Sequence, residues 1–167
     1  METGHPGPRT RYRFGDWLFY SLMAAVPLLT AAVAIYPESI LGLIGYLALL
    51  GAGGGWTLFF FCRHCPHYTR DEPRLKCIFF WGLPKFFQPR PGPPSLAEKL
   101  AAAAGLLVLF VFPLAWLVED PGLLAVYLLS AGVLAAALRR WECPRCTFSD
   151  CPANRVAGGT GAPEQQG

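Results

Sequence analysis

Ile40–Phe61 reads ILGLIGYLALLGAGGGWTLFFF, an unbroken run without a charge, and Cys62-Arg63-His64-Cys65 follows at once. A helix crosses the hydrocarbon core of a bilayer with roughly 20 apolar residues, and this run is long enough to do so. Upstream, Trp17–Tyr36 is likewise uncharged, and only Pro37-Glu38-Ser39 separates the two runs, so they form a hairpin. Downstream, Leu100–Val118, the turn Glu119-Asp120-Pro121-Gly122 and Leu123–Leu138 make a second hairpin. It too ends in a Cys-x2-Cys, Cys143-Pro144-Arg145-Cys146. The fourth run is the shortest, but Arg139 and Arg140 can snorkel and Trp141 can sit at the interface.

Over 167 residues, 53% are hydrophobic and 15% charged, too apolar for an ordinary soluble domain of this size. The fold expected is all-α: an integral membrane four-helix bundle of two tandem helical hairpins, each followed by a Cys-rich cytoplasmic segment. Its expected divisions are a disordered basic leader over 1–16, hairpins over 17–61 and 100–138, cytoplasmic segments over 62–99 and 139–155, and a disordered tail over 156–167. The first run exceeds the roughly 7 to 15 apolar residues of a secretory signal, which favours a retained span.

Local signals fill in the frame. Gly51-Ala52-Gly53-Gly54-Gly55 lacks the Lys-Ser/Thr of a phosphate loop, and Trp56 stands where a dinucleotide fingerprint needs glycine. Gly51 and Gly55 at GxxxG spacing instead suggest close helix packing. Ile78–Phe87 mixes aromatics with Lys85 in the manner of a headgroup-level anchor. Ser95 to Glu98 fits a capping box that starts the third helix, and Pro113 is placed to kink it.

Charge placement gives an orientation. Of 14 Lys and Arg, three precede the first run, seven lie between Arg63 and Lys99, and four follow the fourth run, while the two tight turns carry only Glu38, Glu119 and Asp120. By the positive-inside rule, both termini and the central segment face the cytoplasm of a cell (inner) membrane. The net charge of +3 is explained by this distribution, and no nucleic-acid partner is needed. The expected partners are the lipid bilayer and a membrane or cytoplasmic protein.

Six cysteines are present: Cys62, Cys65, Cys77, Cys143, Cys146 and Cys151. One and the same offset carries Cys62 onto Cys143, Cys65 onto Cys146, and Pro37-Glu38-Ser39 onto Val118-Glu119-Asp120. The chain therefore looks like two copies of span, acidic turn, span, Cys-x2-Cys, related as parallel repeats about an axis along the membrane normal. In a reducing compartment structural disulfides are disfavoured, and paired Cys-x2-Cys motifs fit thiolate ligation of one metal ion. All six cysteines are candidate metal ligands, with His64 or His67 as a further ligand to the first cluster. A closed zinc site is the simplest expectation. An iron-sulfur cluster is the alternative cofactor, although these spacings match no standard cluster signature. Dithiol redox chemistry also uses Cys-x2-Cys, but the βαβ setting of thioredoxin-like proteins is missing.

The uncharged runs hold no Asp, Glu, Lys, Arg or His. That disfavours proton-coupled transport and paired-histidine haem ligation within the spans. The segment from Cys62 through Tyr68, Cys77, Trp81 to Lys85, Ser95 to Lys99 and Cys146 to Val156 resembles a family of small prokaryotic polytopic membrane proteins with paired cytoplasmic Cys-x2-Cys motifs. The resemblance implies a prokaryotic inner membrane and carries no activity. The expected function is a polytopic membrane protein with a cytosolic-face thiolate metal site, structural zinc, and no assigned catalytic residue. The alternatives are a membrane-anchored iron-sulfur electron-transfer component and a partner-binding scaffold with redox-active or free thiols.

Overall fold

A computed structural model describes residues 12–70 and 72–146. Most of the expected leader, the expected tail and Cys151 lie outside them. Four helical stretches, Phe14–Ile35, Ile40–His64, Leu96–Leu117 and Pro121–Arg145, of 22, 25, 22 and 25 residues, are long and apolar enough to cross a membrane. The fourth is longer than its uncharged run because the helix continues through Arg139 and Arg140 as a π-turn, Leu138–Glu142, and a 3-10 turn, Cys143–Arg145. Leu22, Leu41, Leu106 and Leu129 stand exposed, one on each stretch. Apolar exposure spread over every long helix suits lipid contact and would be a liability in water.

Helix α1 (Phe14–Ile35) begins earlier than the expected start at Trp17, because the Asp16 carboxylate accepts the Arg13 amide at 3.0 Å. Helix α2 (Ile40–Phe60) is capped by Ser39 Oγ, which accepts from the Gly42 amide at 3.0 Å. After a 3-10 turn, Cys62–His64, comes the short α3 (Pro66–Thr69), with proline in its first turn, where no amide is needed. Strands β1 (Arg74–Lys76) and β2 (Trp81–Pro84) then pair antiparallel, a hairpin the all-α expectation does not contain. Its turn is closed by the Cys77 amide donating to Phe80 O at 3.1 Å. Gly82, at φ 79°, takes a conformation that L side chains avoid.

Helix α4 (Leu96–Val111) carries the expected capping box: Ser95 Oγ accepts from the Glu98 amide at 3.3 Å, and the Glu98 carboxylate accepts the Ser95 amide at 2.8 Å. Pro113 ends that helix, and the short α5 (Leu114–Leu117) resumes it. A proline frees carbonyls in the preceding turn. Phe110 O near this break accepts the Tyr127 hydroxyl at 3.0 Å from α6 (Pro121–Ala137). The Thr30 and Thr57 hydroxyls bond within their own helices, to Val26 O and Gly53 O, both at 2.8 Å.

The principal packing runs between the hairpins: α1 lies along α6, and α2 along α4. Exchanging the two repeats maps one of these contacts onto the other. The caps keep the register of the cysteines, since Ser39 and Asp120 precede α2 and α6 and are related by the offset that relates Cys62 to Cys143. One core, Ala31, Ala34, Ile35, Tyr46, Leu117 and Tyr127, gathers toward the acidic-turn end. Two others sit toward the cysteine end, around Tyr12, Tyr20, Ile78 and Ala137 and around Leu58, Tyr68 and Leu75.

The expected Gly51/Gly55 contact is not made. A Cβ at either position meets nothing within 4 Å, whereas at Gly53 it would stand 2.5 Å from Leu109 Cδ1 and at Gly105 2.6 Å from Trp56 Cδ1. On a helix of about 3.6 residues per turn, Gly53 faces nearly opposite to Gly51 and Gly55. The small residues that admit the neighbouring helix are therefore Gly53 and Gly105.

Candidate metal centre

Both Cys-x2-Cys motifs fold alike. In each, the second cysteine's amide donates to the first cysteine's carbonyl, at 2.9 Å for Cys65 to Cys62 and 3.4 Å for Cys146 to Cys143. Cys65 (φ −73°, ψ 138°) and Cys146 (φ −77°, ψ 131°) then turn the chain into extended backbone. A proline after Cys65 favours that conformation there. The sequence repeat thus extends to backbone geometry at the thiols.

The first turn is fastened by Glu98. Its Oε1 accepts from Arg63 Nη2 at 2.7 Å and Arg90 Nη1 at 3.2 Å, and faces His64 Nε2 at 3.3 Å. Ser95 Oγ also donates to Oε2, at 2.9 Å. The Ser95 amide, followed by the Arg63 guanidinium, holds the Glu98 carboxyl well below the usual carboxylate range. Glu98 lies in the first turn of the Leu96–Leu117 stretch, ahead of its uncharged run, so these charges gather at the end of that helix. The other nitrogen of His64 faces Gly92 O at 3.1 Å. Both ring nitrogens of His64 are therefore engaged by oxygen acceptors, which removes it as a metal ligand in this arrangement.

Cys62, Cys65 and Cys77 line one cavity of about 20 Å³ together with His67, Tyr68, Leu75 and Phe80. Space of this size admits one water-sized occupant. Burial pushes the Cys62 thiol, just past the uncharged run, well up, and the neighbouring Cys77 and Cys65 add to the effect. Burial also raises Cys77, opposed by the backbone amides of Phe79, Phe80 and Ile78 around its sulfur. Those amides come from the hairpin turn and favour a thiolate. The hairpin is thus what brings Cys77 to the Cys62–Cys65 turn, and its two short strands are too brief to announce themselves by alternation.

His67 is 8% exposed, and its buried Nε2 has no hydrogen-bond partner among the described residues. Burial, then Arg70, lowers its pKa, which favours the neutral ring. Among the described residues no three His, Cys, Asp or Glu side chains stand close enough together to hold a metal ion. The cavity and that finding describe different things: the groups face one space, and their donor atoms do not yet converge on a point in it.

The second pair lies beyond Tyr12, a residue that no sequence pattern singles out. Tyr12 is buried, packs its ring 5.2 Å from that of His67, and places its hydroxyl near Glu142. Its hydroxyl pKa is raised by burial first, then by Glu142, with smaller contributions from Cys146 and Cys77. Glu142 Oε1 also accepts the Tyr20 hydroxyl at 3.0 Å. Each Cys-x2-Cys turn is therefore pinned to the first helix of the opposite hairpin, one through Glu98 and the other through Tyr20. The lone acid beside Cys143 is the sequence signal for the second. Cys151 lies outside the described residues. The chain matches no protein-family model, no curated protein and no solved structure.

Proposed function

We propose that this chain is a four-span protein of a cytoplasmic membrane, with both termini and the central segment on the cytosolic side, carrying a structural thiolate metal site on that face, with zinc as the metal. The observation that carries the reading is the shared cavity of Cys62, Cys65 and Cys77, drawn from a helix-end turn and a separate hairpin. Neutral thiols are buried at little cost, so it is the combination that points to a metal: three sulfurs and an imidazole around one small space are the donor types that zinc takes. The hydrophobic lining, Tyr68, Leu75 and Phe80, suits a closed structural site better than an open catalytic one. The 14 basic residues, all placed outside the uncharged runs and away from the acidic turns, support the orientation.

Anaerobic purification in detergent, followed by metal analysis and an absorption spectrum, tests the reading. Near-stoichiometric zinc without a visible band is expected. Iron with acid-labile sulfide and a visible band would replace it with an electron-transfer centre, and six freely alkylating thiols without metal would leave a scaffold. Labelling of these cysteines from outside intact cells would overturn the orientation.

A further inference from the structure

We infer that the metal site is complete within the first repeat, with Cys62, Cys65 and Cys77 supplying three sulfurs and His67 Nε2 the fourth ligand. This rests on the metal reading above and assigns its ligands. Four ligands of this kind satisfy a tetrahedral structural zinc site. The case for His67 is its orphaned nitrogen. A buried polar atom without a partner is costly, so a native chain keeps one where something unshown satisfies it. His67 Nε2 is buried without a partner among the described residues, and His67 lines the cavity that the three thiols line. His64, which lies between Cys62 and Cys65 in the chain, is spoken for by Gly92 O and Glu98.

The surroundings favour the same set. Tyr68, next to His67, is anchored through its hydroxyl, which donates to Phe87 O and accepts from the Phe87 amide, both at 2.9 Å. That ties α3 to the chain beyond the hairpin and holds the ring-bearing turn against the cavity. The Tyr12 ring packs against that of His67, and its hydroxyl lies near both Cys77 and Cys146. Four ligands from the first repeat complete a tetrahedral set, so the second pair is not required for it. The four side chains line one space without their donor atoms converging, so metal binding requires them to rearrange.

The full-length protein in detergent, loaded with zinc or with cobalt as a spectroscopic substitute, decides the assignment. The wild type and the Cys143→Ser/Cys146→Ser variant should each bind one zinc with equal affinity. Cys77→Ser and His67→Ala should weaken binding by more than about 100-fold, beyond the loss of an outer-shell partner. His67→Cys should restore binding and shift the cobalt spectrum toward that of four sulfurs, a readout that misfolding does not imitate. If one zinc binds but Cys143→Ser/Cys146→Ser abolishes it, or His67→Ala and His67→Cys leave affinity and spectrum unchanged, the ligand assignment is wrong while the metal reading stands. A wild type that binds neither metal sinks both.

Discussion

Replacing Gly105 by alanine drives a methyl carbon into the Trp56 indole. The new Cβ would lie 2.6 Å from Cδ1 and 2.9 Å from Nε1, against an ordinary carbon–carbon separation of about 3.5–4.0 Å. The ring must therefore retreat by about 1 Å. It is not free to do so, because Trp56 Nε1 donates to Ala101 O at 2.8 Å, on the same helix that carries Gly105. Overpacking costs about 1–3 kcal/mol, and loss of the hydrogen bond adds about 0.5–1.5 kcal/mol. The gain in helix propensity from glycine to alanine returns about 1 kcal/mol. The net expectation is a destabilisation of about 0.5–3.5 kcal/mol from these terms. Gly51→Ala is the matched control, since its Cβ meets nothing within 4 Å, and it should be neutral or stabilising. Unfolding of the micelle-embedded protein by SDS titration, followed by tryptophan fluorescence, measures both. A Gly105→Ala protein as stable as the wild type, or a Gly51→Ala protein that is the weaker of the two, would refute the helix facing described here.

Two further outcomes follow from the charged and polar ties at the cysteine end. Tyr20→Phe removes one donor to the Glu142 carboxylate and should cost about 1–3 kcal/mol, seen as a lower unfolding midpoint and faster alkylation of Cys146; unchanged values on both would show that the pin is idle. Because the Glu98 carboxyl is held below its usual range, its stabilising contribution is fully present above the ordinary value of roughly 4.3 and is lost as pH falls below that toward the folded-state value. Hydrogen exchange at Cys62–His64, corrected for intrinsic rates, should stay protected down to that region and rise below it; Glu98→Gln should show the raised exchange at neutral pH, and a profile indifferent to this substitution would remove Glu98 as the fastener.

Much of the cysteine end is readable one element at a time. Ser95 and Glu98 announce a helix start because a capping box is local, using atoms three residues apart. Pro113 announces a break for the same reason. The GxxxG spacing misleads because it identifies a face without saying which face a neighbour occupies, and that is set by how α2 meets α4. The β1–β2 hairpin is hidden by its brevity, and Tyr12 by lying in a Gly/Pro/Arg-rich stretch with no periodicity of its own. His64 and His67 flank Cys65 and are indistinguishable in sequence; only the distant Gly92 and Glu98 tell them apart.

The four apolar stretches, their acidic turns, the segregation of basic residues and the common register of the two Cys-x2-Cys turns are all legible in the chain alone. Hydropathy and charge act residue by residue along the chain, so they survive without knowledge of contacts. Which helices pair, which glycines admit them, and which thiols share a cavity with His67, whose Nε2 has no partner among the described residues, emerge only in three dimensions. Those features depend on side chains far apart in sequence whose meeting is fixed by packing, where a neighbour's shape and its unmet hydrogen bonds select one arrangement among many that the local pattern permits.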